Sequence, residues 1–170
     1  MNKYEFLRKY SYNNLPDCEN DKSNIHRHFF LPLDVDDEND IEKIKQELNI
    51  IFPNSLIEFY KDIGIGQLYS KFRDNYKSRY RFLWTSELLA LYIEEYDEDE
   101  EFDGSRTHTI ESLKENNRLS FMEASEHDFF EISLDDESIW IFGRKIANSL
   151  AEFIRKEFET PDYHYEDFQD

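Results

Sequence analysis

The chain has 170 residues, which is enough for one domain with a sizeable core and short for two. Hydrophobic residues make up 39% and aromatic residues 16%, which excludes a disordered chain because so much apolar surface favours burial. The formal net charge is −19, from 39 acidic and 20 basic residues. Such a surface repels phosphates, so we expect neither nucleic acid nor a membrane as a partner. The charge indicates a basic protein partner, or serves only solubility.

The cysteine content and the N-terminal sequence predict a cytoplasmic protein. Cys18 is the only cysteine, which excludes an intramolecular disulfide and is typical of a reducing compartment. The first residues, MNKYEFLRKYSYNN, lack the apolar core and cleavage site of a secretory signal. No apolar run approaches the length that spans a bilayer.

The sequence divides into three parts. Residues 1–33 lack sustained periodicity and are expected to form an N-terminal arm or short irregular elements. Residues 34–159 predict one α+β domain in which an antiparallel sheet packs against several helices. Residues 160–170 are acidic and aromatic, and we expect a solvated or loosely docked tail.

Residues 40–70 predict two helices, starting near Ile41 and near Asn54, followed by a strand. Apolar residues recur at helical spacing in both helices, on Ile41, Ile44 and Leu48 and then on Leu56, Phe59, Tyr60 and Ile63. Pro53 separates the helices, Asn54 or Ser55 can cap the second, and Gly64 suits a left-handed position beyond its end.

The rest of the domain reads as alternating strands and helices. Strands are predicted at residues 67–72, 80–84 and 119–122, and a hairpin at 129–134 and 138–142 with Asp135 and Asp136 in its turn. A helix capped by Thr85 or Ser86, a short helix at 110–117 and a last helix from near Ala147 complete the pattern. We expect Phe59, Trp140, Ile141 or its alternate neighbours, and Phe153 in the core.

The helix, corner and helix around FPNSLIEFYKDIGIG, together with FFEISLDDESIWIFGRKIANSLAEFIRKEF near the C-terminus, resemble the SUKH superfamily. Its founding eukaryotic member is a yeast cell-wall assembly regulator, and most of its bacterial members are immunity proteins that neutralise polymorphic or contact-dependent toxins. The resemblance implies a SUKH-like α+β fold and a protein-binding function. Family members often carry two adjacent glycines after the second helix, whereas this chain has Ile63-Gly64-Ile65-Gly66.

Candidate cofactor sites are all weak. Gly64-Ile65-Gly66 precedes a strand, the reverse of a phosphate loop, so it indicates a helix stop. Cys18, His26 and His28 offer one thiol where a structural zinc site needs four ligands. Asp99, Glu101 and Asp103 are spaced as in a calcium loop, but Ile110 stands at the closing glutamate position. We therefore expect no metal and no cofactor.

No catalytic constellation stands out either. The chain has no nucleophile elbow, no metalloprotease helix and no kinase motif, and His127-Asp128 beside Glu126 is the nearest approach to a polar dyad. We expect a protein that is not an enzyme.

Two functions remain. The first is an immunity protein that binds a basic toxin domain, plausibly a nuclease; the alternative is an intracellular regulatory or scaffold module of the cell-wall assembly regulator type. Aromatic anchors for a partner could come from Tyr92, Tyr96 and Phe102 or from Tyr163, Tyr165 and Phe168, although Tyr92 and Tyr96 have the spacing of core residues. The densest carboxylate clusters are the predicted partner-binding residues: Asp97, Glu98, Asp99, Glu100, Glu101 and Asp103, joined by Asp135, Asp136 and Glu137.

Overall fold

The computed structural model describes residues 3–11, 29–73, 76–93, 104–125, 128–160 and 162–166. Over these residues the chain forms a seven-stranded antiparallel sheet whose strand order follows the chain order. The predicted single α+β domain is confirmed. The strands are β1 (Phe29–Leu31), β2 (Ile65–Arg73), β3 (Tyr76–Phe82), β4 (Arg118–Glu123), β5 (Phe129–Ser133), β6 (Ile139–Ile141) and β7 (Arg144–Ala147).

Helices lie before β1, between β1 and β2, between β3 and β4 and after β7, and they pack on the sheet. A 3-10 helix, Glu5–Tyr10, precedes β1. The α-helices are α1 (Val35–Leu48), α2 (Asn54–Asp62), α3 (Thr85–Tyr92), α4 (Gly104–Asn116), α5 (Leu150–Glu159) and α6 (Tyr163–Glu166). Within the described residues, no helix has both the length and the apolar character needed to cross a membrane.

Aromatic rings join the helices to the sheet. Phe59 of α2 stacks on Phe82 of β3 with ring centroids 4.7 Å apart, and Phe82 in turn lies 5.8 Å from Phe121 of β4. Phe153 of α5 meets Phe121 at 6.2 Å and Phe130 of β5 at 4.8 Å. All five side chains are fully buried, so much of the aromatic content forms one continuous core.

The predicted start of α1 is wrong, whereas those of α2 and α3 are confirmed, because α2 begins at Asn54 and α3 at Thr85, next to the expected Ser86. Helix α1 begins at Val35 instead of near Ile41, since the Asp34 carboxylate accepts a hydrogen bond from the Asp37 amide and the Asp37 carboxylate accepts one from the Asp34 amide. Pro53 and Trp84 occupy the N-cap positions of α2 and α3, immediately before the predicted caps. Strand β3 runs from Tyr76 to Phe82, so it starts four residues and ends two residues earlier than expected.

The C-terminal segment that resembles the SUKH superfamily, residues 129–158, contains a strand that the sequence pattern missed. Residues 144–147 form β7, paired with β6, and α5 starts at Leu150 instead of near Ala147. Ser149 caps this helix by accepting from the Glu152 amide. In β6, Ile139 and Ile141 are fully buried. Trp140, expected in the core, points to the other face and is only half-buried, with Arg118 lying 3.6 Å above its ring.

Both ends of the described chain pack against the domain. Tyr4 and Leu7 of the 3-10 helix are buried, and Tyr4 meets Phe59 edge to face. At the other end, residues 162–166 were expected to be solvated or loosely docked, whereas His164 is fully buried there. The boundaries at residues 33 and 160 remain predictions.

Candidate functional site

The predicted acidic run lies outside the described residues. This holds for Asp97, Glu98, Asp99, Glu100, Glu101 and Asp103, and also for Tyr96, Phe102 and Phe168 among the aromatic candidates. Cys18, His26, His28, Glu126 and His127 also fall outside the described ranges. The hairpin carboxylates are therefore the predicted site residues whose geometry can be described.

Asp135 and Asp136 are exposed in the turn between β5 and β6, and their side chains are oriented by hydrogen bonds. Asp135 accepts from the Asn117 side-chain amide at 2.7 Å. Asp136 accepts from the Ser138 hydroxyl at 2.5 Å and the Ser138 amide at 3.0 Å, and Lys145 Nζ lies 3.4 Å away. The hydrogen bond from the Ser138 hydroxyl is the main cause that lowers the pKa of the Asp136 carboxyl, and the other bonds add to it. Asp136 is therefore ionised at neutral pH.

Glu137 has a structural role that the sequence did not predict. Its two carboxylate oxygens accept from the backbone amides of Asn54, at 2.9 Å, and Ser55, at 3.1 Å. These amides begin α2, whose N-cap Pro53 offers no side-chain hydrogen bond. Glu137 therefore caps a helix more than 80 residues away in the chain, which ties the β5–β6 turn to the loop before α2.

The loop between α1 and α2 presents an exposed apolar side chain. Asn49 closes α1 in a left-handed conformation, and the Ile50 amide donates to the Lys45 carbonyl at 3.2 Å. Phe52 is fully buried and Pro53 is buried, which holds the far side of the loop. Ile51, which lies between Ile50 and Phe52, is 82% exposed, the highest exposure among the large apolar residues described.

Tyr92 belongs to the core instead of an interface. It is 7% exposed, and its hydroxyl oxygen accepts the Ser120 amide of β4 at 2.8 Å. Tyr163 is partly buried and its hydroxyl donates to the Ile146 carbonyl at 3.1 Å. Of the aromatic candidates whose side chains are described, both have structural contacts, so neither is a ready anchor for a partner.

A buried polar cluster holds the C-terminal segment. His164 Nδ1 lies 2.5 Å from a Glu157 carboxylate oxygen, and neither side chain is exposed. The other Glu157 oxygen accepts the Asp162 amide at 3.0 Å, while Tyr80 donates to the Asp162 carboxylate. Burial raises the pKa of Glu157 above its usual value. The Glu157 and His164 side chains are both fully buried, so their contact can hold α6 against α5 but offers no reacting group to a substrate.

The motif Gly64-Ile65-Gly66 lies where the chain leaves α2 and enters β2. Gly64 has φ +113 and donates its amide to the Phe59 carbonyl at 3.3 Å, which confirms the predicted helix stop. A Cβ atom at this position would lie 2.1 Å from the Leu31 carbonyl oxygen, so β1 can approach only a glycine. Ile65 and Gly66 continue directly into β2. No group of three or more potential metal ligands comes together within the described ranges.

Comparison with known proteins agrees with the fold and the sequence resemblance. The SMI1 / KNR4 family (SUKH-1) matches residues 37–156. A Bacillus subtilis (strain 168) protein named "Immunity protein YxxD" is 31% identical over 159 residues, covering 88% of this chain and 95% of the relative. No solved structure matches the chain. Since the family match spans most of the chain and the relative aligns along nearly its whole length, the chain belongs to the SMI1 / KNR4 (SUKH-1) family.

Proposed function

We propose that this protein is an immunity protein, which binds the toxic domain of a cognate bacterial toxin and neutralises it without catalysis. The observation that carries the proposal is the 31% identity to a protein named as an immunity protein, along 95% of that protein. An alignment of that extent leaves no large part of the relative without a counterpart here.

The charge of the chain supports a basic partner. With a formal net charge of −19, the protein attracts a positively charged surface over distances set by the ionic strength. Nucleases hold phosphate in basic clefts, so a polyanionic protein can be steered to such a cleft and cover it. We therefore propose a basic toxin domain, plausibly a nuclease, as the partner. Neutralisation would take place in the cytoplasm, where we expect the protein to remain.

The acidic run at residues 97–103 and the exposed Asp135 and Asp136 are the proposed contact residues. Carboxylates at an interface raise the association rate and select a basic partner, whereas affinity depends on a few desolvated anchors. Glu137, proposed from the sequence as a contact, contributes by holding the turn against α2.

Co-expression tests the proposal. If a neighbouring gene encodes a large secreted protein with a basic C-terminal domain, that domain is produced in a sensitive host with and without this chain. We expect growth to be rescued and the two proteins to co-purify, whereas an unrelated toxin domain is neither neutralised nor retained. Failure of both rescue and co-purification would contradict the immunity function and favour the regulatory or scaffold role of a cell-wall assembly regulator.

A further inference from the structure

We infer that the toxin domain docks where the α1–α2 loop meets the β5–β6 turn, with Ile51 as the apolar anchor and Asp135 and Asp136 as flanking carboxylates. We call these three residues the Ile51 surface. The inference rests on the proposed function, because the occupant is a basic protein surface in which an apolar recess is bordered by Lys or Arg side chains.

Ile51 is held outward by its neighbours. One exposed isoleucine is ordinary on a protein surface. This one lies in a short loop whose backbone is fixed by the Ile50 amide bond to Lys45 on one side and by buried Phe52 on the other. Its β-branched side chain has few rotamers, so little conformational entropy is lost when a partner covers it. An 82% exposed, preorganised apolar side chain has the properties of an interface anchor.

Glu137 brings the two parts of the surface together. Its carboxylate bonds to the amides of Asn54 and Ser55, while Ile51 precedes Asn54 by three residues and Asp136 precedes Glu137 directly. Chain connectivity therefore keeps the Ile51 and Asp136 Cα atoms within about 22 Å of each other. A standard interface covers about 800 Å² per partner, roughly 32 Å across, so one partner can contact the whole surface.

The two aspartates are preorganised for a cation. Asn117 orients Asp135 and Ser138 orients Asp136, so neither carboxylate has to be ordered when a partner binds. A carboxylate offers about four acceptor sites, and the described residues give Asp135 one donor. The remaining sites of Asp135 can accept charge-assisted hydrogen bonds from Lys or Arg, whereas Asp136 already accepts from Ser138 and lies 3.4 Å from Lys145 Nζ, so Asp135 is the main acceptor. With the strongly negative charge of the chain, this favours a basic occupant over an acidic or purely apolar one.

Binding kinetics with the purified toxin domain test the surface. We expect Ile51→Ala to lower the affinity about tenfold or more, mainly through faster dissociation, and Ile51→Asp to lower it about a hundredfold or more. The matched control is Val35→Ala, since Val35 is also β-branched and is 72% exposed. It lies at the opposite end of the 14-residue α1, about 20 Å away, and its substitution should change the affinity less than about twofold.

Two variants that each remove one negative charge give a second readout. We expect Asp135→Asn to slow association about twofold to fivefold at low salt, and exposed Glu38 of α1 provides the control in Glu38→Gln. Both Ile51 variants should melt within about 1 °C of the wild type, because the side chain is exposed. If the wild type binds and both Ile51 variants bind within twofold of it, the Ile51 surface is excluded while the immunity function stands. If the wild type binds no toxin domain, both proposals fail.

Discussion

Replacing Glu137 should destabilise the whole domain, although the residue lies in a surface turn. In Glu137→Ala the amides of Asn54 and Ser55 lose both of their acceptors. The loss of a helix cap costs about 0.5–2 kcal/mol, and the loss of a negative charge at a helix N-terminus about 0.3–1 kcal/mol. Together these give a decrease of about 1–3 kcal/mol in the free energy of unfolding, or roughly 2–12 °C in Tm for a chain of this size.

Urea denaturation and thermal melting measure the effect, and two variants separate the causes. Glu137→Gln keeps one acceptor oxygen without the charge, so its loss should be about half as large. Because Glu137 has φ +55, Glu137→Gly removes the same cap but relieves the left-handed backbone, and should be less harmful than Glu137→Ala. A loss below about 0.5 kcal/mol in Glu137→Ala would refute the assignment of this carboxylate as the cap of α2.

Four further results are expected. Gly64→Ala should lower Tm by about 6 °C or more or prevent soluble expression, because the added Cβ would meet the β1 backbone. Gly143→Ala is the control. Gly143 has φ +71 and open space around it, so this substitution should lower the free energy of unfolding by only about 1 kcal/mol. Burial raises the pKa of Glu157, so stability from this group is present below its ordinary value of 4.5 and is lost as the pH rises through the folded-state pKa. Urea denaturation at several pH values from 4.5 upward should show the wild type losing stability relative to Glu157→Gln as the pH rises. Parallel curves of unfolding free energy against pH for the two proteins would contradict the burial effect. Tyr92→Phe should lower the free energy of unfolding by about 1–3 kcal/mol, measured by urea denaturation, because a buried β4 amide loses its acceptor; no loss would mean that water replaces the hydroxyl. Neutralising the acidic residues of the 97–103 run should slow toxin association at low salt and have less effect at moderate salt, and an unchanged rate at both salts would remove the run from the interface.

The fold could be predicted from the sequence where a local pattern decides it. The α2 stripe, the glycine stop at Gly64 and the hairpin around Asp135 and Asp136 all depend on residues within a few positions of one another. The missed strand β7 has four residues and follows β6 after a two-residue turn at Phe142 and Gly143. So short a segment beside a helix carries too few residues for periodicity to separate the two.

The functional details depend on contacts between distant parts of the chain. In sequence Glu137 is one more acid in an acidic turn, and only the tertiary structure brings it to α2. Ile51 belongs to an apolar run, NIIF, in which its exposure could not be distinguished from the burial of Phe52. Likewise, a helix glutamate and a tail histidine gave no sign of the buried Glu157 and His164 pair. The family resemblance, by contrast, was carried by apolar positions and turns that the chain retains.

Titration of toxin activity against this protein tests the central claim most directly. A fixed concentration of the cognate toxin domain, well above the dissociation constant, is mixed with increasing amounts of the purified chain, and the residual activity is measured at two incubation times. Stoichiometric neutralisation predicts a linear loss of activity that ends at a fixed molar ratio and does not change with time. Complete loss at a small fraction of that ratio, growing with incubation, would reveal catalytic inactivation, and undiminished activity at excess would contradict neutralisation itself.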